Sequence, residues 1–400
     1  VINQTERDVL AYIDQNETVD LLQRLIRTPS PAPPGDCRAV AEVCAAELGE
    51  AGLAVQVLAV EEFLPNVVGT LPGRSPTPVL ALHAHIDTVP VEDPSRWDHD
   101  PFGGQLIDGV IYGRGAGDDK SSVAAQIMAV KALAKAGVEL DGTVVVCLVA
   151  DEEQGGIRGT KWLRDEAYLR PDLLIVGEQT NNRVAIAERA MVRFEIVVRG
   201  RAAHGAMPWE GLNAIVGMAR LVCHLEDTFG PLLEARVHPY LPHSSMNIGT
   251  IEGGLKPNMV PEVCRIRIDR RLLPNESPDS AEQEIRDALE SLSSQLEGFV
   301  YELREFARSW PAASTDPKSR LVQVMQGAIV DLAGQEGPLT GYNQGSDSRF
   351  FAEAGIPIVI FGPSDPAVGH APNERVSVGS LLEATQIVAL SALRLLSAAA

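Results

Sequence analysis

The chain has 400 residues, 45% of them hydrophobic, with 34 basic against 54 acidic side chains and a formal net charge of -20. That length can bury a large core and predicts two domains, while the charge argues against nucleic acid, whose phosphates would be repelled. Five cysteines (Cys37, Cys44, Cys147, Cys223 and Cys264) are an odd number without C-x-x-C spacing, which indicates neither a disulfide framework nor a thiolate zinc knot and reads as reduced, mostly structural thiols.

The first residues, Val1-Ile2-Asn3-Gln4-Thr5-Glu6, lack the basic start and apolar core of a secretory signal. No stretch approaches the roughly 18 uncharged apolar residues of a membrane span, so no membrane partner and a cytoplasmic location are expected. Residues 5–28 place Val9, Leu10, Ile13, Val19, Leu21, Leu22, Leu25 and Ile26 at helical spacing, an amphipathic opening that stops at Pro29-Ser30-Pro31-Ala32-Pro33-Pro34-Gly35. A helix over about 38–51 and short strands near 54–58 and 66–70 follow. The apolar run Pro78-Val79-Leu80-Ala81-Leu82 then reads as a buried strand delivering His83, His85 and Asp87 into a turn closed by Pro90.

A glycine-rich turn ending Gly113-Arg114-Gly115-Ala116-Gly117-Asp118-Asp119-Lys120 feeds a helix over about 121–136. Two carboxylates there would repel a nucleotide phosphate, but at a helix N-terminus they suit a cation. Strands over 143–150, 173–177 and 357–363 end in Asp151-Glu152-Glu153, in Glu178 and in a loop carrying His370-Ala371-Pro372-Asn373-Glu374. Strands separated by helices imply a layered α/β sheet, whose ligands bind beyond the carboxyl ends of its strands.

The middle of the chain has a different rhythm. A strand at 192–196, a helix over 212–228, strands at 246–251 and 263–272, a helix over 280–296 and a strand at 299–306 give the order strand, helix, strand, strand, helix, strand, which is ferredoxin-like. We therefore expect an α+β insert at 187–305 within an α/β catalytic domain of residues 1–186 and 306–400, the latter resuming at a helix near 319–332.

Collecting the strand-end groups gives His85, Asp118, Glu153, Glu178 and His370, with Asp87 and Glu152 close by. Two imidazoles and three carboxylates suit two divalent ions if one carboxylate bridges them. Zinc fits best by ligand softness, and cobalt or manganese would accept the same set. Adjacent Glu152 and Glu153 cannot easily point the same way, so one can ligate while the other acts as a base.

The ordered motifs His-x-Asp-Thr-Val-Pro, Gly-Arg-Gly-x-x-Asp-x-Lys, Asp-Glu-Glu-x-Gly, a strand-final Gly-Glu and a late His before Pro-Asn-Glu span nearly the whole chain. They resemble the di-zinc amidohydrolase and metallopeptidase family of acetylornithine deacetylase, succinyl-diaminopimelate desuccinylase, aminoacylase and carboxypeptidase G. The resemblance implies one ion on His85, Asp118 and Glu178 and the other on Asp118, Glu153 and His370, with Asp118 bridging. It makes Glu152 the general base toward a metal-activated water and Asp87 the group that orients His85, which leaves His83 structural. It also implies a zinc-peptidase-like catalytic domain with a lid that mediates homodimerisation, and matches His204 in Arg201-Ala202-Ala203-His204-Gly205 to a histidine that contacts the developing oxyanion.

Asn247, Asn258, Arg271, Gly345 and Arg349 are the candidates for contacting substrate. The loop Gly345-Ser346-Asp347-Ser348-Arg349 resembles the family's Gly-x-Asp loop, and Arg349 could pair bidentately with a substrate carboxylate. The implied reaction is hydrolysis of the amide bond of an N-acyl amino acid or a related small carboxylate-bearing substrate. Competing readings are a dipeptidase or carboxypeptidase, or a specialised amidase or aryl-amine hydrolase acting on an unusual or xenobiotic compound. Gly341-Tyr342-Asn343-Gln344-Gly345-Ser346 departs from the biosynthetic deacylases, which usually carry threonine or a second glycine here, and this argues against acetylornithine or succinyl-diaminopimelate as substrate.

Overall fold

The structure, a computed structural model, describes residues 2–292 and 297–397. Two compact units emerge: one of Val1–Ile186, Ser314–Tyr342 and Ser346–Ala400, the other of Ala187–Ala313 with Asn343–Gly345.

The first unit is built on a nine-stranded sheet. Its centre is four parallel strands in the order Thr143–Val149, Val79–His85, Leu173–Val176 and Ile358–Ile360. These are the near-continuous apolar runs expected of strands covered on both faces, and each fully buried Val, Leu or Ile contributes about 1.5–3 kcal/mol. Asn66–Leu71 and Ala54–Leu58 extend one side antiparallel. Helix Lys120–Lys135, buried through Leu133, packs on strands Val79–His85 and Thr143–Val149 and on helix Val378–Leu396. The four parallel strands share a direction, so their carboxyl ends bring His85, the Asp151–Gly156 turn, Glu178 and the loop to His370 to one edge.

The structure departs from two expectations. The amphipathic opening is two helices, Gln4–Ala11 and Gln15–Ile26, because the Asp14 side chain accepts from Glu17 N–H and starts the second. Helix Val378–Leu396 is long and apolar enough to cross a membrane, contrary to the reading that no stretch is; it is mostly buried within this unit, among helices Lys120–Lys135, Arg320–Ala333 and Gln4–Ala11.

The second unit is an antiparallel four-stranded sheet, ordered Ser245–Gly253, Val263–Leu272, Ala190–Arg199 and Val300–Trp310, with helices Ala214–Glu234 and Pro278–Ser291. This is the ferredoxin-like order. Along Val263–Leu272 burial alternates strictly: Cys264, Ile266, Ile268 and Leu272 join the core with Phe194, Met218, Leu225, Phe229 and Ile285, while Arg265, Arg267, Asp269 and Arg271 stay half-exposed. The expected helix over 280–296 is described as Pro278–Ser291; residues 293–296 lie outside the described residues.

Candidate metal centre

Strand Val79–His85 ends on His85, which is buried. Its Nδ1 lies 3.0 Å from the Asp87 carbonyl oxygen, which can only accept, so Nδ1 carries a proton and Nε2 is turned toward Asp118 Oδ1 at 2.9 Å. The Asp87 carboxylate accepts from the backbone N–H of Glu152 (3.2 Å) and of Glu153 (3.1 Å), and stands 3.5 Å from His85 Nδ1. The ring is thus oriented chiefly by the Asp87 backbone, while the Asp87 side chain props the turn that bears both glutamates.

Asp118 is fixed by a contact that the sequence reading missed. Glu374 accepts from the N–H of Gly117 (2.7 Å) and Asp118 (2.8 Å) and pairs with Arg114, so the glycine loop and the His370 loop are stitched together. Gly117 has to be glycine: a Cβ there would stand 2.6 Å from Ser364 Oγ. Asp118 Oδ2 lies 3.1 Å from His370 Nε2, and Glu153 lies 3.1 Å from the same nitrogen. His370 (φ 60) and Asp151 (φ 82) hold left-handed backbone that side chains rarely adopt, a strain that clusters at functional turns.

Glu178 is buried two residues past its strand, and its Oε2 accepts from the Tyr342 hydroxyl at 2.7 Å. Tyr342 is the second residue missed; its position at the end of a short strand before the Gly345 loop was the available signal. His83 is buried, with Nε2 2.7 Å from Thr160 Oγ1, and burial pushes its pKa down to about 4. It serves the structure behind the site.

Among the described residues, the donor atoms of His85, Asp118 and Glu178 lie within 4.8 Å of one another, as do those of Asp118, Glu153 and His370. Burial pushes Glu152 and Glu178 well above the ordinary carboxylate range and Asp119 up to about 8. Burial also works against Asp118, but His370 and His85 outweigh it and hold that carboxyl low. Paired with Asp118 and Glu153, His370 rises to about 10. So many buried carboxylates around two imidazoles leave negative charge that the protein itself does not balance, and two divalent cations sharing Asp118 fit that deficit and this donor chemistry.

The other candidates lie on other elements. His204 sits exposed on the short strand Ala203–His204, paired with Met259–Val260, and Asn258 is beside it, its carbonyl accepting from Gly205 N–H at 2.8 Å. Asn247 is exposed on Ser245–Gly253 opposite Asp269, and Arg271 Nε is tied to Asp269 Oδ1 at 2.8 Å. All four, with Gly345, belong to the inserted unit. Arg349 belongs to the first unit, is 5% exposed and lies 3.0 Å from Asp347 and 3.5 Å from Glu152.

The description of peptidase family M20/M25/M40 matches residues 81–394. The chain belongs to this family. N-formyl-4-amino-5-aminomethyl-2-methylpyrimidine deformylase of Bacillus subtilis is 28% identical to this M20 chain over 94% of it and 93% of the relative. Succinyl-diaminopimelate desuccinylase of Methylobacterium radiotolerans is 31% identical over 92% and 94%. A solved Bacillus subtilis protein described as a dinuclear metal-binding peptidase of family M20 superposes with a TM-score of 0.75 at 18% identity, covering 96% of this chain and 99% of its own. The M20 chain is therefore a metal-dependent hydrolase acting on amide bonds.

Proposed function

We propose that the protein cleaves the amide bond of an N-acyl amino acid or a related small carboxylate-bearing molecule, using two divalent ions, with zinc the best match to the donors. The observation that carries this is the pair of donor groups sharing Asp118, with Glu152, half-buried, on the same turn as Glu153 and outside both groups. His85, Asp118 and Glu178 would hold one ion; Asp118, Glu153 and His370 would hold the other. Bound there, the ions supply Lewis-acid polarisation of the amide carbonyl and acidify water.

Glu152 takes the proton of the attacking water and returns it to the leaving amine. His204 Nδ1 accepts from Ala206 N–H at 3.1 Å, which puts the ring proton on Nε2 and makes that atom a donor suited to an oxyanion. Asn247, Asn258 and Arg271 are assigned to the substrate, since they share the inserted unit with His204. That unit also exposes Trp209, Leu255 and Met259, which supports a homodimer formed through the lid. A cytoplasmic location fits small-molecule amide hydrolysis.

A second reading, a specialised amidase on a heteroaromatic N-acyl amine, is favoured by the deformylase relative, which matches along nearly its whole length. Assays of N-acyl amino acids, dipeptides and aryl amides with zinc-, cobalt- and manganese-loaded protein separate the two. In the same assays Glu152→Gln should keep its metal and lose about 10²–10⁴-fold in turnover. Near wild-type turnover in that variant would remove Glu152 from the mechanism.

A further inference from the structure

Behind the metal centre, a line of buried polar groups crosses the catalytic unit without adding a donor to either ion group. It begins at His83, whose Nε2 is 2.7 Å from Thr160 Oγ1. The Thr160 hydroxyl donates its single proton to Asp347 Oδ2. It can therefore only accept from His83, which places a ring proton on Nε2. Asp347 Oδ1 accepts from Arg349 Nη2 at 3.0 Å, and the same nitrogen stands 3.5 Å from Glu152 Oε1.

Two further observations show that this line is built. Asp347 and Arg349 sit on the short 3-10 turn Asp347–Phe350, whose start is capped by Ser346 Oγ accepting from Ser348 N–H at 3.2 Å. Gly156 closes the turn that carries Glu152, and a Cβ there would lie 2.3 Å from Asp347 Oδ1. The glycine lets the Glu152 turn settle directly on Asp347. Beneath the guanidinium, the Phe350 ring lies 5.0 Å from Arg349 Cζ and leaves it little room to swing.

We propose that Arg349 is a positioning residue for Glu152, and that Asp347, held by Thr160 and His83, sets where its guanidinium stands. The proposal rests on the reading of Glu152 as the base. At 3.5 Å the contact is a charge interaction rather than a hydrogen bond. It fixes the direction of the Glu152 carboxylate without occupying the lone pair that must take the proton. A guanidinium 5% exposed and already shared by two carboxylates is poorly placed to anchor a substrate carboxylate as well.

The test is steady-state kinetics of the zinc-loaded full chain on an N-acyl amino acid and on a neutral aryl amide, with bound metal measured for each variant. Arg349→Gln and Asp347→Asn should lower kcat about 10- to 100-fold, equally on both substrates, with KM and metal content unchanged. Arg349→Lys should recover part of the loss, and shape-conserving Thr160→Val should lose about 3- to 10-fold. Independently of any substrate, nitrogen NMR of the histidine rings should find a proton on His83 Nε2; its absence there would break the line of donors and overturn the proposal. So would a KM increase confined to the carboxylate-bearing substrate, loss of metal, or unchanged kcat. If Glu152→Gln itself retained turnover with metal bound, the reading of the base would fail instead.

Discussion

Glu178, at the metal centre, and Glu195, on the open face of the inserted sheet, are both covered glutamates treated oppositely by the fold. Glu195 lies under the arms of Arg304 and Arg267, 3.1 Å from the latter, and Arg304 first among them holds its carboxyl below the usual value of 4.5. Burial drives Glu178 the other way, and the Tyr342 hydroxyl is its neutral donor. Asp269 repeats the lid pattern between Arg193 at 2.9 Å and Arg271 at 2.8 Å. An acid matched by arginines is a finished structural contact, whereas buried acids crowded around two imidazoles are an unfinished one that cations complete.

Breaking the shared ligand should have the largest effect. In Asp118→Asn both ions lose a donor, so turnover should fall below detection and metal analysis should find the centre depleted. Added zinc at about 100 times its dissociation constant should stabilise the wild type by about 2.7 kcal/mol in thermal unfolding and leave the variant unmoved. A variant that still binds two ions would show that Asp118 is not shared. Tyr342→Phe is a milder break: losing the donor to Glu178 should weaken zinc by about 10- to 100-fold in a chelator competition, with the fold intact. Unchanged affinity would reduce Tyr342 to packing.

The smallest effect belongs to the lid. Glu195→Gln should cost less than about 1 kcal/mol in urea unfolding at neutral pH, because Arg304 is exposed and Arg267 half-exposed. The folded pKa is depressed, so this contribution is fully present above the unfolded value of about 4.3 and lost as pH falls through the folded one. Variant and wild type should converge in strong acid. A gap that persists there would mean that shape, not charge, carries the contact.

The sequence made the parallel strands and the groups at their ends legible, because apolar runs closing on His, Asp or Glu are local signals. The fold's long-range contacts were not. Tyr342 meets Glu178 across 164 positions and Glu374 meets Asp118 across 256, and no periodicity announces such pairs. Arg349 was legible as a loop arginine able to pair with a carboxylate; that the carboxylates beside it are Asp347 and Glu152, the latter on a turn nearly two hundred residues earlier, was not. Asp87 was placed at the right corner, yet its carboxylate serves two backbone N–H groups of the Glu152 turn more directly than the His85 ring.

The ammonium group of Lys120, two residues beyond Asp118 and fully enclosed, donates at 2.8 Å to the carbonyl oxygens of both Leu25 and Thr28. Those oxygens lie at the carboxyl end of helix Gln15–Ile26, where the helix dipole favours a cation. The acceptors that offset its desolvation are these main-chain oxygens, and enclosure lowers its pKa to about 8. An early helix that contributes no ligand is thereby the electrical ground of the metal loop. Unwinding its last turn would take both acceptors from an enclosed ammonium two residues along the chain from Asp118, which ties the opening segment of the chain to the metal loop.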